Sequence, residues 1–595
     1  MSGRSRFFRI SHIQNAAALC VAATSSVWAQ TAPTEITITA EPPVRVAGFD
    51  DVSAQAQPFS VTTIGQATLR DIGAQRITDA LRLDASVSDS YNLPAYWDKL
   101  SVRGFALDNR YNYRREGLPI SAETIIAMDN KERLELLKGT SGVQSGISSP
   151  GGLVSYLVKR APTSSGKTIR DVTLSYGPGD NRLVSADLGG RFGDGTDFGY
   201  RINLAHEDLN PYIRDTRGYR NLFALAMDWR INSSNRLEWE FEQSHYEQIG
   251  VNFYSVLGSD PNNGRFVLPA TVDGTRNITR QPTSQPGVFD GLTGTVRLKH
   301  QLDDGWMWRT QYGTQRLRAD DRLTYASGCS STQTKSFCLS PLGNFQIHDF
   351  RSDNERRLSD SLESEVSGQL EINGLKHTLT AGVLRQRQLD RLPAYQAYAS
   401  ISEPGNVAAP FSSTPNPDFS TVNSNRSEYS TELSLKDHVE LTRSTAVWAG
   451  LRHVMFNRSS ERNDISNPNH KLYTGHINAP WLGISTKLSS SLIYASHGHG
   501  VENFVVPNNY LSYWGNAGQQ LGVGRSRQTE VGIRNLNTQS AMQWNASVFQ
   551  IERPLAYDDG NGNRLLDGKQ THQGIELGAN WTDRQWKLGT TAQWL

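Results

Sequence analysis

From Lys167 to the C-terminus, apolar and polar residues alternate with a period of two in one segment after another. The connections between segments are themselves of two kinds, short and long. Arg170–Tyr176 and Arg182–Gly190 flank Gly177-Pro178-Gly179-Asp180-Asn181, a hairpin signal. Leu222–Ile231 is followed by Leu237–Ser244 across Asn232–Asn235, and Gly294–Leu302 by Met307–Leu317 across Asp303–Gly305. Ser361–Ile372 and Leu375–Gln386 meet at Asn373-Gly374, and Ser430–Val439 and Ala446–Met455 meet around Leu441–Arg443. Pro480–Leu488 with Ser490–Ser496, Gln528–Asn535 with Gln543–Ile551, and Gln573–Trp581 with Trp586–Leu595 complete the series. The long connections fall at about Tyr246–Leu292, Arg318–Ser359, Leu389–Arg426, Asn457–His476, His497–Arg525 and Arg553–Gln570. Aromatics recur near segment ends: Trp239, Trp306, Trp308, Trp448, Trp481, Tyr494, Trp544, Trp581 and Trp586. Tight turns at one end, long loops at the other and aromatic girdles predict a transmembrane antiparallel β-barrel with its long loops outside the cell. A sandwich or propeller would need turns of more even length.

Composition agrees. Hydrophobic residues make up 37% of the 595, and no stretch approaches the roughly 18 consecutive apolar residues of a membrane helix. Barrel strands look hydrophilic on average, so the same composition permits them. A net charge of +1 gives no reason to expect nucleic acid as a partner. The N-terminus reads as a secretory signal over residues 1–29, with Arg4, Arg6 and Arg9 before an apolar core, Ala16–Val27, and a Val27-Trp28-Ala29 cleavage site. The plain alternative is a frayed cytosolic tail. Cys20 lies in that core, which leaves Cys329 and Cys338; in an exported chain such a close pair is expected to form a disulfide. The pair alone does not make a metal site.

The remaining N-terminal part is a turn-rich α+β module, most legible from Ser101 to Arg160. It reads SVRGF, then REGLPI, then KERLELLKGTSGVQSGISSPGGLVSYLVKR. A charged, locally amphipathic segment, Lys131–Lys138, runs into Gly139, Gly142, Gly146, Gly151 and Gly152 before a strand-like run, Leu153–Val158. Ile77–Arg82 predicts a short helix capped by Thr or Asp. This order resembles the plug domain of TonB-dependent outer-membrane receptors, particularly the siderophore-receptor branch. The resemblance is carried by Arg103, Gly104, Phe105, Glu132, Arg133, Glu135, Lys138, Gly139, Gly146, Gly151, Gly152, Lys159 and Arg160. It departs from the family at Leu83–Val87, at Thr140 and at Gln144-Ser145-Gly146. The resemblance implies a leader over residues 30–57, a plug over 58–162 and a barrel over 163–595. It further implies that the charged residues of Lys131–Lys138 help lock the plug; the alternative is salt pairing along a helix surface. In the leader, Glu35, Ile36, Thr37, Ile38, Thr39 and Ala40 resemble the TonB box, a strand captured by the periplasmic transducer TonB. The leader is too short for an additional signalling domain. The alternating segments number about seventeen, against 22 in plugged transporters, so about five C-terminal strands are expected to be absent from a fragment, a truncated product or a degenerate receptor.

Tempting motifs resolve to structure. Ser164–Thr168 imitates the end of a P-loop without its first glycine, and Asp559–Asn563 opens like a calcium loop but has Arg564 at the glycine position. His497-Gly498-His499 lacks a third ligand. No catalytic constellation stands out, so a non-enzyme without a resident cofactor is expected, any iron entering as a chelated ligand. Two aromatic and arginine-rich loops, Tyr91–Trp97 and Asp108–Arg115, offer stacking and charge-assisted hydrogen bonds to an oxygen-rich chelate, or else pack against the barrel interior. The candidates are Tyr96, Trp97, Asn109, Arg110, Tyr111 and Tyr113, with Arg110, Tyr111 and Tyr113 favoured because the resemblance places the loop after Arg103-Gly104-Phe105 near bound siderophore. The implied activity is TonB-dependent import of a ferric siderophore by a monomer in outer-membrane lipid. Import of haem, cobalamin or oligosaccharide and a non-transporting surface receptor are the alternatives.

Overall fold

The computed structural model describes residues 46–595, apart from residues 47, 50–53, 92–94, 165, 194–195, 251–272, 281–283, 328–343, 401–404, 409–417, 464–468, 509–513 and 538–539. The expected signal sequence, the TonB-box residues from Glu35 to Ala40, and Cys329 and Cys338 lie outside the described residues. No described helix is long and apolar enough to cross a membrane.

The first part builds strands β1 (Val61–Gly65), β2 (Val87–Asp89), β3 (Leu100–Val102), β4 (Phe105–Ala106), β5 (Tyr113–Arg115), β6 (Leu118–Pro119), β7 (Lys131–Lys138) and β8 (Gly152–Val158). Three short helices accompany them, α1 (Gln66–Asp71), α2 (Ile77–Leu81) and α3 (Gly142–Ser145). One sheet has the order β1-β7-β8-β5-β6, and a smaller one the order β2-β3-β4. The salt-paired helix surface considered for Lys131–Lys138 is therefore replaced by a strand, flanked on both sides by β1 and β8. Successive apolar side chains are divided between its two faces. Leu134 and Leu136 point into a core with Ile64, Leu81, Leu100 and Val154. Leu137 points the other way, into a cluster with Phe49, Phe59, Trp448 and Trp481. Both faces are buried, so charge along the strand is forced into pairs. Helix α2 is capped at Arg76, not at Thr or Asp; the Asp79 carboxylate at its third position accepts the Gln75 and Arg76 amides at 3.1 and 3.0 Å.

Glycine is required at the corner after β7. Gly139 has φ +88°, and a β-carbon there would overlap the Gln528 side chain. A β-carbon on Gly152 would lie 2.6 Å from the Leu137 carbonyl oxygen, so the close β7–β8 crossing excludes a side chain.

The rest is one antiparallel barrel wall of seventeen long strands among the described residues, from Ile169–Gly177 to Lys587–Trp594. Three short strands, Tyr395–Ser400, Gly405–Asn406 and Phe419–Val422, sit within a long connection. Across that connection Leu375–Arg391 pairs directly with Ser424–Glu440. The hairpins read from the sequence omit one wall strand, Phe198–Leu209. Its outward residues turn polar at His206 and Asp208, which shortens the visible alternation. The long strands also run further toward the long-loop end than their alternation suggested. Asn344–Ile372 includes the expected Ser361–Ile372 at its far end, beside the tight turn at Asn373-Gly374. The first and last wall strands leave both faces exposed, with Leu174 and Trp594 each 76% accessible.

Candidate functional site

The α+β module lies in the lumen, held by charges that the wall turns inward. Arg103 stands at the corner between β3 and β4 with φ +52° and no accessible surface. Its Nε donates to Glu576 Oε1 at 2.8 Å, Nη2 to Glu576 Oε2 at 3.0 Å and Nη1 to Glu530 Oε2 at 2.7 Å. Its guanidinium also lies 4.0 Å from the centre of the Phe549 ring. Lys138 bridges Asp84 at 2.8 Å and Glu576 at 3.4 Å. Burial opposes ionisation of Asp84, but Lys138 and hydrogen bonds from Thr62 and Ser86 outweigh it and hold the carboxyl at about 2.

A second group of charges closes the other side. Arg115 reaches Glu240 at 3.1 Å, Lys131 reaches Glu242 at 2.9 Å, and Glu116 takes Arg297 at 3.3 Å. Lys159 pairs with Asp187 at 3.0 Å, and Arg160 with Glu116 at 2.9 Å and Glu238 at 3.2 Å. Among the residues singled out in β7, Arg133 and Glu135 pair with each other at 2.7 Å, while Glu132 is exposed. Lys138 therefore reaches the wall, and the other three make no wall ion pair among the described residues.

Away from the tight turns, the loop after β4 and the wall enclose a cavity in two lobes of about 190 and 200 Å³, sharing Arg110, Asp390, Arg426, Ser460 and Val505. Arg110 lies between Glu123 at 3.2 Å and Asp390 at 3.3 Å. Burial disfavours the Glu123 carboxylate, yet Arg110 and Arg357 hold it at about 2. The Tyr111 hydroxyl donates to Glu428 Oε2 at 2.8 Å, and Arg458 binds the same oxygen. Three groups remain available. The other Glu428 oxygen and both polar atoms of the Asn503 amide are shielded yet have no hydrogen-bond partner. Arg426 is exposed on the lumen side, where its strand alternates with buried Glu428, Ser430 and Glu432, and makes no ion pair among the described residues. A shift of register between Asn503 and Val505 marks a bulge where Asn503 enters the cavity. No group of three or more potential metal ligands occurs among the described residues.

The six sequence candidates separate. Arg110 and Tyr111 line the cavity. Tyr96 and Trp97 instead pack against Tyr246 and Phe289 of the wall, with the Tyr96 hydroxyl donating to Asp321 at 2.8 Å. The Asn109 amide holds its own loop together through the carbonyls of Asp98 and Ala122. Tyr113 belongs to the core beneath. In this structure the rings of Tyr96 and Trp97 cover apolar wall surface, Asn109 braces its own loop and Tyr113 fills the plug core. Arg426, Glu428 and Asn503 were missed. Arg426 and Glu428 share one wall strand and Asn503 comes from another, Ser491–Val505, and no local pattern marks them.

A lumen-filling domain tied to a wall of alternating strands defines a plugged membrane β-barrel. Comparison with known proteins agrees. Residues 53–153 match the family described as TonB-dependent Receptor Plug Domain, and residues 238–594 match TonB dependent receptor-like, beta-barrel. The chain belongs to the TonB-dependent receptors, which are outer-membrane β-barrels. It is 22% identical over 559 residues to the ferrichrome receptor FcuA of Yersinia enterocolitica, covering 90% of this chain and 68% of that protein. It is 26% identical over 341 residues to the metal-pseudopaline receptor CntO of Pseudomonas aeruginosa, covering 55% of this chain and 43% of that protein. The chain thus spans about two thirds of the first relative and under half of the second. Among solved structures, BauA, the ferric preacinetobactin receptor of Acinetobacter baumannii, superposes with a TM-score of 0.72 at 17% identity, covering 91% of this chain and 79% of that one. The closed form of the ferric-catecholate import receptor Fiu of Escherichia coli gives 0.75 at 16% identity, covering 91% and 80%.

Proposed function

We propose that the chain takes up a ferric siderophore across the outer membrane, with TonB supplying the drive through the leader at Glu35–Ala40. The observation that carries this reading is the cavity above the plug, with its unpartnered Asn503 amide, free Glu428 oxygen and unpaired Arg426. Buried polar atoms are almost always satisfied, so a cluster of unsatisfied ones beside a cavity marks a place completed by a ligand or by water. A hydrophilic chelate has matching groups: carbonyl and carboxylate oxygens for Arg426 and the Asn503 amide, and an amide or hydroxyl donor for Glu428. The names of the relatives, among them receptors for ferrichrome, ferrioxamine B and ferric pyoverdine, support the ligand class. No resident cofactor is proposed; iron arrives and leaves as cargo. Tight binding alone cannot release a ligand inward, so a coupled step must lower the affinity.

The test is uptake of radiolabelled ferric chelates by cells lacking other receptors, alongside binding to purified protein. Deleting Glu35–Ala40 should abolish uptake and leave binding unchanged. Uptake that survives the deletion refutes the coupling, and failure of every ferric chelate to bind refutes the ligand class.

A further inference from the structure

Three adjacent wall strands, Met307–Ser327, Asn344–Ile372 and Leu375–Arg391, carry a field of arginines on the face turned away from the lumen. Gln311, Gln315, Ser359, Ser361, Leu384 and Gln386 are buried on the lumen side, so the residues alternating with them face outward. The register aligns those outward residues in rows. Beside the tight turns the rows are apolar or neutral: Trp308 with Val366 and Ala381, then Thr310 with Ser364 and Val383. The next row, Tyr312, Leu362 and Arg385, is the boundary. Beyond it come Thr314 with Asp360 and Arg387, Arg316 with Leu358, and Arg318 with Arg356.

Height along the barrel fixes what these arginines meet. Trp308 lies next to the turn at Asp303–Gly305, and Arg318 follows ten residues later in the same strand. At about 3.3 Å per residue and a tilt of about 40°, that places Arg318 about 25 Å above Trp308, the height of a barrel's apolar band. The arginines therefore stand where hydrocarbon gives way to headgroups on the long-loop side.

They are also incompletely neutralised. Asp360 is shared by Arg316 at 2.8 Å and Arg387 at 2.6 Å. Arg318 reaches Asp290 at 3.2 Å and Asp320 at 3.0 Å. Arg356 meets only the Asn354 side-chain oxygen at 3.3 Å, and Arg385 makes no ion pair among the described residues. Below the field, Leu362, Val383 and Leu433 form an exposed apolar surface.

We propose that this field binds the phosphate-bearing headgroup of an anionic membrane lipid. Planar guanidiniums clamp phosphate oxygens in pairs, and a flat apolar surface directly below suits acyl chains. Charge complementarity and continuity with the apolar band both select a lipid over a soluble protein, which would have no use for the hydrocarbon-facing part. The ligand cavity lies on the opposite face of the wall, so this site is separate from the proposed import site.

The experiment reconstitutes the purified chain in nanodiscs of phosphatidylcholine doped with phosphatidic acid and counts retained lipids by native mass spectrometry. Phosphatidic acid should be enriched over phosphatidylcholine. With each basic residue contributing about fivefold, the triple variant Arg356→Gln, Arg385→Gln, Arg387→Gln should lower that enrichment about a hundredfold. A triple Lys variant, which keeps the charge, should retain part of it. Equal retention by the wild type and the triple Gln variant overturns the proposal, as does an absence of enrichment in the wild type. Displacement by millimolar inorganic phosphate overturns the lipid assignment.

Discussion

The backbone amide of Val46 donates to Glu135 Oε2 at 2.9 Å, tying the chain ahead of β1 to β7, the second strand of the plug sheet. The same carboxylate takes Arg133 through its other oxygen at 2.7 Å. In Glu135→Ala the Val46 amide loses its acceptor, and a lost hydrogen bond of about 1 kcal/mol corresponds to roughly fivefold faster exchange of that amide. Hydrogen–deuterium exchange read by mass spectrometry checks this; unchanged protection would remove the tie.

Arg103→Met should loosen the plug. Breaking one partner out of a buried charge group costs about 3–5 kcal/mol, because Glu530 is left buried without its cation and Glu576 keeps only Lys138. Limited proteolysis should cut the linker around residues 163–168 faster than in the wild type. Glu576→Gln should have a smaller effect, since Arg103 keeps Glu530.

The pH dependence follows from Asp84, whose folded carboxyl is lowered from 3.8 to about 2. A lowered folded value means that the stabilisation is fully present above pH 4 and is lost as the pH falls toward 2. The shift corresponds to about 2 kcal/mol. Denaturant titrations of the plug at pH 5, 3 and 2 should show that loss. In Lys138→Met the slope over this window should shrink, because the cation that holds Asp84 ionised is gone.

Gly139→Ala should destabilise by about 1–2 kcal/mol, through strain at positive φ and collision with Gln528. Adding Gln528→Ala removes the collision but not the backbone strain, so thermal unfolding should show partial rescue only.

For the cavity, Asn503→Leu and Arg426→Gln should each weaken chelate binding about tenfold while leaving the unfolding temperature within a degree or two, since neither side chain has an ion pair or hydrogen bond to lose among the described residues. Tyr96→Phe should leave affinity unchanged and lower stability, because its hydroxyl serves Asp321. Isothermal titration with a panel of ferric chelates separates the two outcomes.

What could be read in advance followed from physics that is local in sequence. Alternation gave the wall, because one face meets lipid and the other the lumen, and the tight turns carried their own residues at Asn373-Gly374 and Gly177–Asn181. Alternation of apolar with polar residues fails where both faces carry polar side chains, as at Arg351, Ser352, Asp353, Glu355 and Arg356, which is why Asn344–Ile372 begins well before its visible pattern. It also fails where both faces are buried, as in β7, whose charges suggested a helix surface until Glu242 and Glu576 were found opposite them. Arg110 and Tyr111 were legible as exposed aromatic and charged groups in a loop. Arg426 and Glu428 are neighbours on one face of a single strand, but Asn503 and Arg110 reach them only through the curvature of the wall, which no window of sequence contains.

Part of the seam around the plug is closed by guanidinium, ammonium and carboxylate groups, as at Arg103, Lys131 and Arg160, and part by apolar clusters such as Phe49 and Phe59 against Trp481. Separating the ion pairs hands each ion to water, which solvates it well, whereas the apolar clusters resist being parted. Along its charged part, a plug drawn downward would thus be followed by a hydrated gap, so that lubrication for its stroke, and a wet passage for a polar cargo, are already built into the way it is held shut.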